Sequence, residues 1–225
     1  MLIADNIAKL EERIQKACIS AGRKRDEVTL MGVTKFVEVK KIEEAFRAGI
    51  RYFGESRVQE AAGKFSCFKD DFSGAQLHMI GSLQRNKVKQ AVHLFDCIQS
   101  ADRDDLIAEL IKHSSGPLNV LFEMHTGEET KSGYADMNDL FRAAELASGS
   151  ENLKPAGLMT MAPFTEDERL IRKSFRQLVK AQKELEKRFP GQNWAVLSMG
   201  MSNDFEIAIE EGSTLLRIGT AVFME

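Results

Sequence analysis

Val28-Thr-Leu-Met-Gly-Val-Thr34, followed at once by Lys35 and then by Val39-Lys-Lys-Ile-Glu-Glu-Ala-Phe-Arg-Ala48, is the stretch that decides the fold. The first run is almost wholly apolar and rich in β-branched residues, the pattern of a strand buried on both faces in a parallel sheet. The second sets Val39, Ile42, Ala45 and Phe46 at helical spacing and stops at Gly49, which predicts an amphipathic helix. A buried strand feeding such a helix is one β/α unit, and it implies that the next strand runs parallel to the first.

The unit recurs along the chain. Strands are predicted at Arg51–Gly54, Leu77–Gly81, Phe95–Gln99, Leu118–Met124, Ala156–Met161, Ala195–Ser198 and Leu215–Gly219. Helices are predicted at Arg57–Lys64, Arg85–Val92, Asp102–His113, Met137–Ala147, Glu166–Arg188 and Asp204–Glu210. With the opening unit this makes about eight strand-like runs, each but the last followed by a helix, the count for an α/β protein of the (β/α)8 TIM-barrel class. The amphipathic segment Ile3–Ala21 precedes the first strand and is expected either to cover one barrel end or to replace the missing final helix. Only four prolines and no Ser/Gly-rich linker interrupt the pattern, so residues 1–225 are expected to form a single domain. An open doubly wound sheet is the alternative, but the early Gly-rich phosphate turn of such nucleotide folds is not seen.

Composition narrows the function. Among 225 residues, 31 basic and 34 acidic side chains leave a net charge of −3, which argues against an overall electrostatic footprint for nucleic acid or anionic lipid. Cys18, Cys67 and Cys97 show no CxxC pairing, so reduced thiols are expected. The start, Met1-Leu-Ile-Ala-Asp-Asn6, has no apolar secretory segment, and no run approaches the ~18 apolar residues of a membrane span. A cytoplasmic protein is expected.

In a (β/α)8 barrel the reactive groups lie at the C-terminal ends of the strands. Lys35 ends the first strand. A strand-end lysine is ordinarily solvated surface, but partial desolvation at a barrel mouth would favour the neutral amine that attacks an aldehyde. Ser198-Met-Gly-Met-Ser202, which includes Met199, and Arg217-Ile-Gly-Thr220 follow the seventh and eighth strands, where barrels of this kind often bind phosphate through backbone N–H groups. There Gly200 and Gly219 would admit a phosphate, and Ser202 and Thr220 would add hydroxyls. The plainer alternative is that Ser202 caps a helix and the glycines only turn the chain. The first and eighth strands are neighbours in a closed barrel, so Lys35 and Arg217–Thr220 should share one pocket suited to a phosphorylated aldehyde. His78 and His125 are weaker acid/base candidates, read first as satisfied interior or loop histidines. Gln84–Lys87 reads as a solvated loop, Trp194 as packing, and the four histidines lack a metal-binding spacing.

Taken together, Val33-Thr-Lys35, Phe53-Gly-Glu-Ser-Arg-Val-Gln-Glu60, His78-Met-Ile-Gly-Ser-Leu-Gln-Arg-Asn-Lys87, Lys131-Ser-Gly133, Gly157-Leu-Met-Thr-Met-Ala-Pro163, Leu197-Ser-Met-Gly-Met-Ser202 and Arg217-Ile-Gly-Thr220 resemble the pyridoxal phosphate homeostasis proteins, in order along nearly the whole chain. The resemblance implies a fold-type III barrel like that of alanine racemase, with pyridoxal 5′-phosphate (PLP) held as a Schiff base on Lys35. It implies Arg217 facing the pyridine nitrogen, Gly219 and Thr220 at the phosphate, and Ser198, Met199 and Ser202 in the adjoining loop. Ser56 stands where the family usually has Asn, which puts a contact there in question.

The resemblance also implies a carrier in vitamin B6 homeostasis that buffers PLP or delivers it to apo-enzymes, without a committed reaction; a monomer is expected because no residues are committed to a second domain. Racemisation needs two positioned bases, and related racemases draw the second from a further domain and a dimer partner for which this chain has no residues. Arginine at the ring nitrogen, unable to give up a full proton, makes the ring a weaker electron sink. The rival readings are a PLP-dependent racemase of low activity and a cofactor-free Schiff-base aldolase.

Overall fold

The computed structural model describes residues 2–65, 70, 72–127 and 132–224. Eight parallel strands close in sequence order into one barrel: β1 Thr29–Val33, β2 Tyr52–Glu55, β3 Gln76–Met79, β4 Cys97–Ala101, β5 Leu118–Glu123, β6 Leu153–Met159, β7 Val196–Ser198 and β8 Leu215–Ile218. The seam pairs β1 with β8, Thr29 opposite Leu215 through Gly32 opposite Ile218. The helices are α1 Ile3–Ser20, α2 Val39–Arg47, α3 Val58–Lys64, α4 Val88–Leu94, α5 Asp104–His113, α6 Met137–Ser148, α7 Glu168–Arg188, α8 Phe205–Glu210 and α9 Thr220–Phe223. The barrel topology is the one expected, and the open doubly wound alternative is excluded.

Three local expectations need correction. The eighth strand does have a helix after it, the one-turn α9. This helix is too short to cover β8 and β1, and α1 takes its place in the outer ring, packed against α2, α8 and α9. Arg85–Val92 divides into a 3-10 turn, Arg85–Lys87, and then α4. β6 starts before Pro155 rather than after it; the β5–β6 ladder shifts register between Val120 and Leu121, opposite Pro155 and Gly157, and a proline that cannot donate to the ladder is tolerated at such an irregularity.

Burial follows the strand period. One parity of side chains packs outward under the helices, as Phe53 does against Phe65 and Phe72. Trp194 sits between Phe122 and Phe189 and donates its indole N–H to the Phe189 carbonyl, a packing role as expected. Each fully buried aromatic of this kind contributes about 2 kcal/mol or more through burial. The other parity fills the barrel, where Cys97, Leu121 and Met159 form a small inner cluster. Cys18 and Cys97 are buried and unpaired thiols; Cys67 and Lys131 lie outside the described residues. Among the described residues no helix is long and apolar enough to cross a membrane.

Candidate functional site

Strand alternation selects the side chains that enter the barrel mouth. Met31 faces the interior, where its sulfur meets the Gln99 amide at 3.9 Å. Val33 and Lys35 share that parity, and Lys35 lies in the turn just past the strand. The register across the seam leads to the same place: Met31 pairs with Arg217, and a Cβ added at Gly219 would lie 3.4 Å from that of Val33. Lys35, Arg217, Gly219 and Thr220 are thus brought to one end of adjacent strands, as expected.

The surroundings of Lys35 differ from the expectation in one respect. Lys35 is exposed, because the chain turns outward at Phe36, whose φ is +61°. Among the described residues none buries this side chain. The base of the turn is rigid. Lys64 of α3 donates to the Thr34 carbonyl at 2.7 Å and to Glu55 at 2.9 Å, and the Thr34 hydroxyl donates to the same Glu55 oxygen at 2.7 Å. Among the described residues the second Glu55 carboxylate oxygen is buried without a partner.

The segment after β7 is shaped by Gly200. Its φ is +99°, and an added Cβ would lie 2.7 Å from the Ala208 side chain and 2.9 Å from that of Leu216; only glycine fits. Asp204 closes the next turn by accepting the Met201 N–H at 2.5 Å. Asp204, not Ser202, is the residue that precedes α8, so the plainer alternative, in which Ser202 caps this helix, does not hold. Ser202 is left half-buried in the turn. Met199 turns its side chain into the hydrophobic core, its N–H donates to the Leu215 carbonyl and its carbonyl accepts from the Ser213 hydroxyl. Ser56 follows β2, half-buried, with its backbone against Gly81, where an added Cβ would fall 2.3 Å from the Ser56 carbonyl oxygen.

Below the mouth lies a polar network that sequence reasoning largely missed. Arg217, 5% exposed, donates through Nη1 to Ser198 Oγ at 2.7 Å and through Nη2 to the Thr160 carbonyl at 2.8 Å. Ser198 donates to Gln99 Oε1 at 2.7 Å, Gln99 Nε2 lies 2.8 Å from His78 Nδ1, and His78 Nε2 lies 3.1 Å from Gln76 Oε1. Burial lowers the His78 pKa to about 3 and that of Arg217 to about 10, the latter opposed by Asp204 and Glu123. His78 is therefore neutral and Arg217 cationic at neutral pH. His78 is a satisfied interior histidine, as first read. Gln99 carried a signal that went unused: an amide inside a wholly buried strand has to find partners.

Two further acids border Arg217. Glu123, at the end of β5, accepts from Ser132 at 2.6 Å, and burial raises its pKa. Asp204 is likewise raised by burial. Gln84, Arg85 and Asn86 are exposed, the solvated loop expected of them. As a donor set the mouth offers one exposed amine, one buried guanidinium, two hydroxyls and close glycine backbone. That set suits a small phosphorylated aldehyde bearing a ring acceptor, with no group of metal-binding side chains among the described residues.

Comparison with known proteins gives this arrangement a family. Residues 3–225 match the family model described as alanine racemase, N-terminal domain. A pyridoxal phosphate homeostasis protein of Aquifex aeolicus is 38% identical over 230 residues, covering 100% of this chain and 99% of the relative. The structure of PipY from Synechococcus elongatus with PLP bound superposes with a TM-score of 0.85 at 30% identity, covering 98% of this chain and 99% of that one. Alanine racemase from E. faecalis shares the fold at a TM-score of 0.76 and 14% identity, but this chain spans only 57% of it. Full-length identity at this level, on a barrel whose mouth gathers Lys35, Arg217, Gly219 and Thr220, means that the chain belongs to the pyridoxal phosphate homeostasis protein family, within the alanine racemase N-terminal domain fold.

Proposed function

We propose that this protein binds PLP as a Schiff base on Lys35 and serves PLP homeostasis in the cytoplasm, buffering the cofactor or handing it to apo-enzymes, with no committed reaction of its own. The observation that carries the reading is the convergence of the exposed Lys35 amine with the buried Arg217 cation and the Gly219–Thr220 segment on adjacent strands. Condensation of the amine with the cofactor aldehyde releases one water and leaves the linkage reversible, which suits a carrier. Arg217 donates to the ring nitrogen while remaining protonated. Ser202, Thr220 and the Gly219 backbone hold the phosphate, Ser198 orients Arg217, and Ser56 lies at the rim. Residues 1–225 act as one domain and as a monomer.

When bound, the cofactor supplies an electrophilic aldehyde and a conjugated ring. Lys35 supplies the nucleophile, and its exposure leaves the linkage open to attack by water or by another amine. An enclosed lysine would retain the cofactor; an exposed one lets it leave. The test is borohydride reduction of the loaded protein followed by peptide mass mapping, with the cofactor mass expected on Lys35. A reduced adduct on another lysine would overturn the assignment, and sustained amino-acid racemisation at ordinary enzyme rates would overturn the carrier role.

A further inference from the structure

The guanidinium of Arg217 is held from below by groups that the proposed binding role does not itself require. A guanidinium only donates hydrogen bonds, so the Ser198 oxygen that lies 2.7 Å from Nη1 must accept. The Ser198 proton then goes to the Gln99 carbonyl oxygen, 2.7 Å away. That fixes the Gln99 amide with its NH2 toward His78 Nδ1 at 2.8 Å, which has to present a lone pair. The ring proton is left on Nε2, facing the Gln76 carbonyl oxygen at 3.1 Å. Each step leaves the next no choice, so one cation on β8 sets the direction of a chain that passes through β7 and β4 to β3.

The middle of the chain is shielded from water: Ser198 and Gln99 are 0% exposed and His78 is 6% exposed, while Gln76 at its far end is half-buried. The edge of the Tyr52 ring–His78 contact, 5.7 Å between centroids, limits rotation of the imidazole. The other arm of the guanidinium is fixed as well. Thr160, whose carbonyl accepts from Nη2, donates its hydroxyl to the Met124 carbonyl at 2.9 Å and is bridged through Thr126 to Ser174 of α7. With both terminal nitrogens tethered, the guanidinium plane is set before a ligand arrives.

We propose that Gln99 and His78 are positioning residues that act through Ser198 to hold the Arg217 guanidinium for the ring nitrogen of the cofactor. The inference rests on the reading of Arg217 as the ring-nitrogen partner. Neither residue touches the cofactor. Their contribution is selectivity for a ligand with an acceptor at the ring position, because a guanidinium free to tilt would lose directed hydrogen bonding while still filling space.

The experiment uses two ligands, PLP and its carbocyclic analogue in which C–H replaces the ring nitrogen, titrated against the full-length protein. The wild type is expected to bind PLP more tightly. Gln99→Leu is expected to lose about tenfold in PLP affinity, one hydrogen-bond increment to a charged group, and to leave affinity for the analogue unchanged. His78→Phe should follow in the same direction. Ser198→Ala, which removes a single oxygen, cuts the same chain in case Gln99→Leu does not fold. Equal losses for the two ligands would reduce the chain to packing and overturn the inference, as would an unchanged preference for PLP in folded variants. If the wild type itself does not distinguish the ligands, the reading of Arg217 fails first, and the inference falls with it.

Discussion

The Lys64 ammonium spans two strands, donating to the Thr34 carbonyl at the end of β1 and to the Glu55 carboxylate at the end of β2. The residue immediately before Lys35 is thereby tied to a buried ion pair outside the barrel, so the turn that carries the reactive amine has a fixed base and a solvated tip.

Lys64→Met should be costly out of proportion to its partly exposed position. Glu55 is fully buried and one of its oxygens already lacks a partner among the described residues. Removing the cation leaves a buried carboxylate supported by Thr34 alone. The expected loss is about 3 kcal/mol of folding stability, read from urea denaturation. A double variant that also carries Glu55→Gln should recover a good part of it; no recovery would mean that the lysine acts by packing rather than charge.

Gly200→Ala tests the shape of the segment after β7. The left-handed φ and the approach to Ala208 and Leu216 together predict a loss of about 2–3 kcal/mol. The melting temperature should fall, and PLP affinity with it, because the turn carrying Ser202 has to shift. A variant as stable as the wild type would show that the turn relaxes freely.

His78 makes acid stability predictable. In the unfolded chain a histidine takes up a proton near its ordinary value of 6.5, whereas in the folded protein burial delays this to about 3. Between those values the unfolded state binds the extra proton, so this group's contribution to stability, complete above 6.5, is lost as pH falls toward 3. The buried carboxyls Glu123, Asp102 and Asp204 have raised values and act with the opposite sign, stability declining as pH rises through their range. His78→Gln removes only the histidine contribution. Urea midpoints near neutral pH and at about pH 4 should therefore differ less in His78→Gln than in the wild type; an unchanged difference would place the acid sensitivity elsewhere.

Ser202→Ala and Thr220→Ala address the phosphate. Each removes one hydroxyl donor to a charged group, so PLP affinity should drop about tenfold while the Lys35 linkage still forms at saturating cofactor. Inorganic phosphate should compete less effectively in both variants. If competition by phosphate is identical to that in the wild type, the phosphate lies against other groups.

Much of this molecule is legible in its sequence. The buried run of β1, the helix at Val39 and their repetition led directly to a closed barrel, because each unit has a local signal. Lys35, Arg217, Gly219 and Thr220 could be grouped from strand order alone, since barrel closure makes the first and last strands neighbours. Gln99 and His78 could not be joined this way. They lie on β4 and β3, and their link to Ser198 and Arg217 depends on which level of the interior each side chain occupies. Strand periodicity gives the face but not the height. The expected desolvation of Lys35 failed for a similar reason: position at a strand end says nothing of the outward turn at Phe36.

The sequence by itself determined the alternation of elements, the placing of Lys35 and Arg217–Thr220 at the ends of the first and last strands and the family to which the chain belongs, because these depend on local period and on motifs contiguous in the chain. Tertiary structure alone decided that α1 fills the outer ring beside α9, that Met199 is spent on the core, that Lys35 stands in solvent and that a directed chain of hydrogen bonds crosses the barrel beneath Arg217. Those outcomes depend on contacts between residues far apart in sequence, where steric fit and the need to satisfy buried polar groups choose among arrangements that local propensity leaves equal.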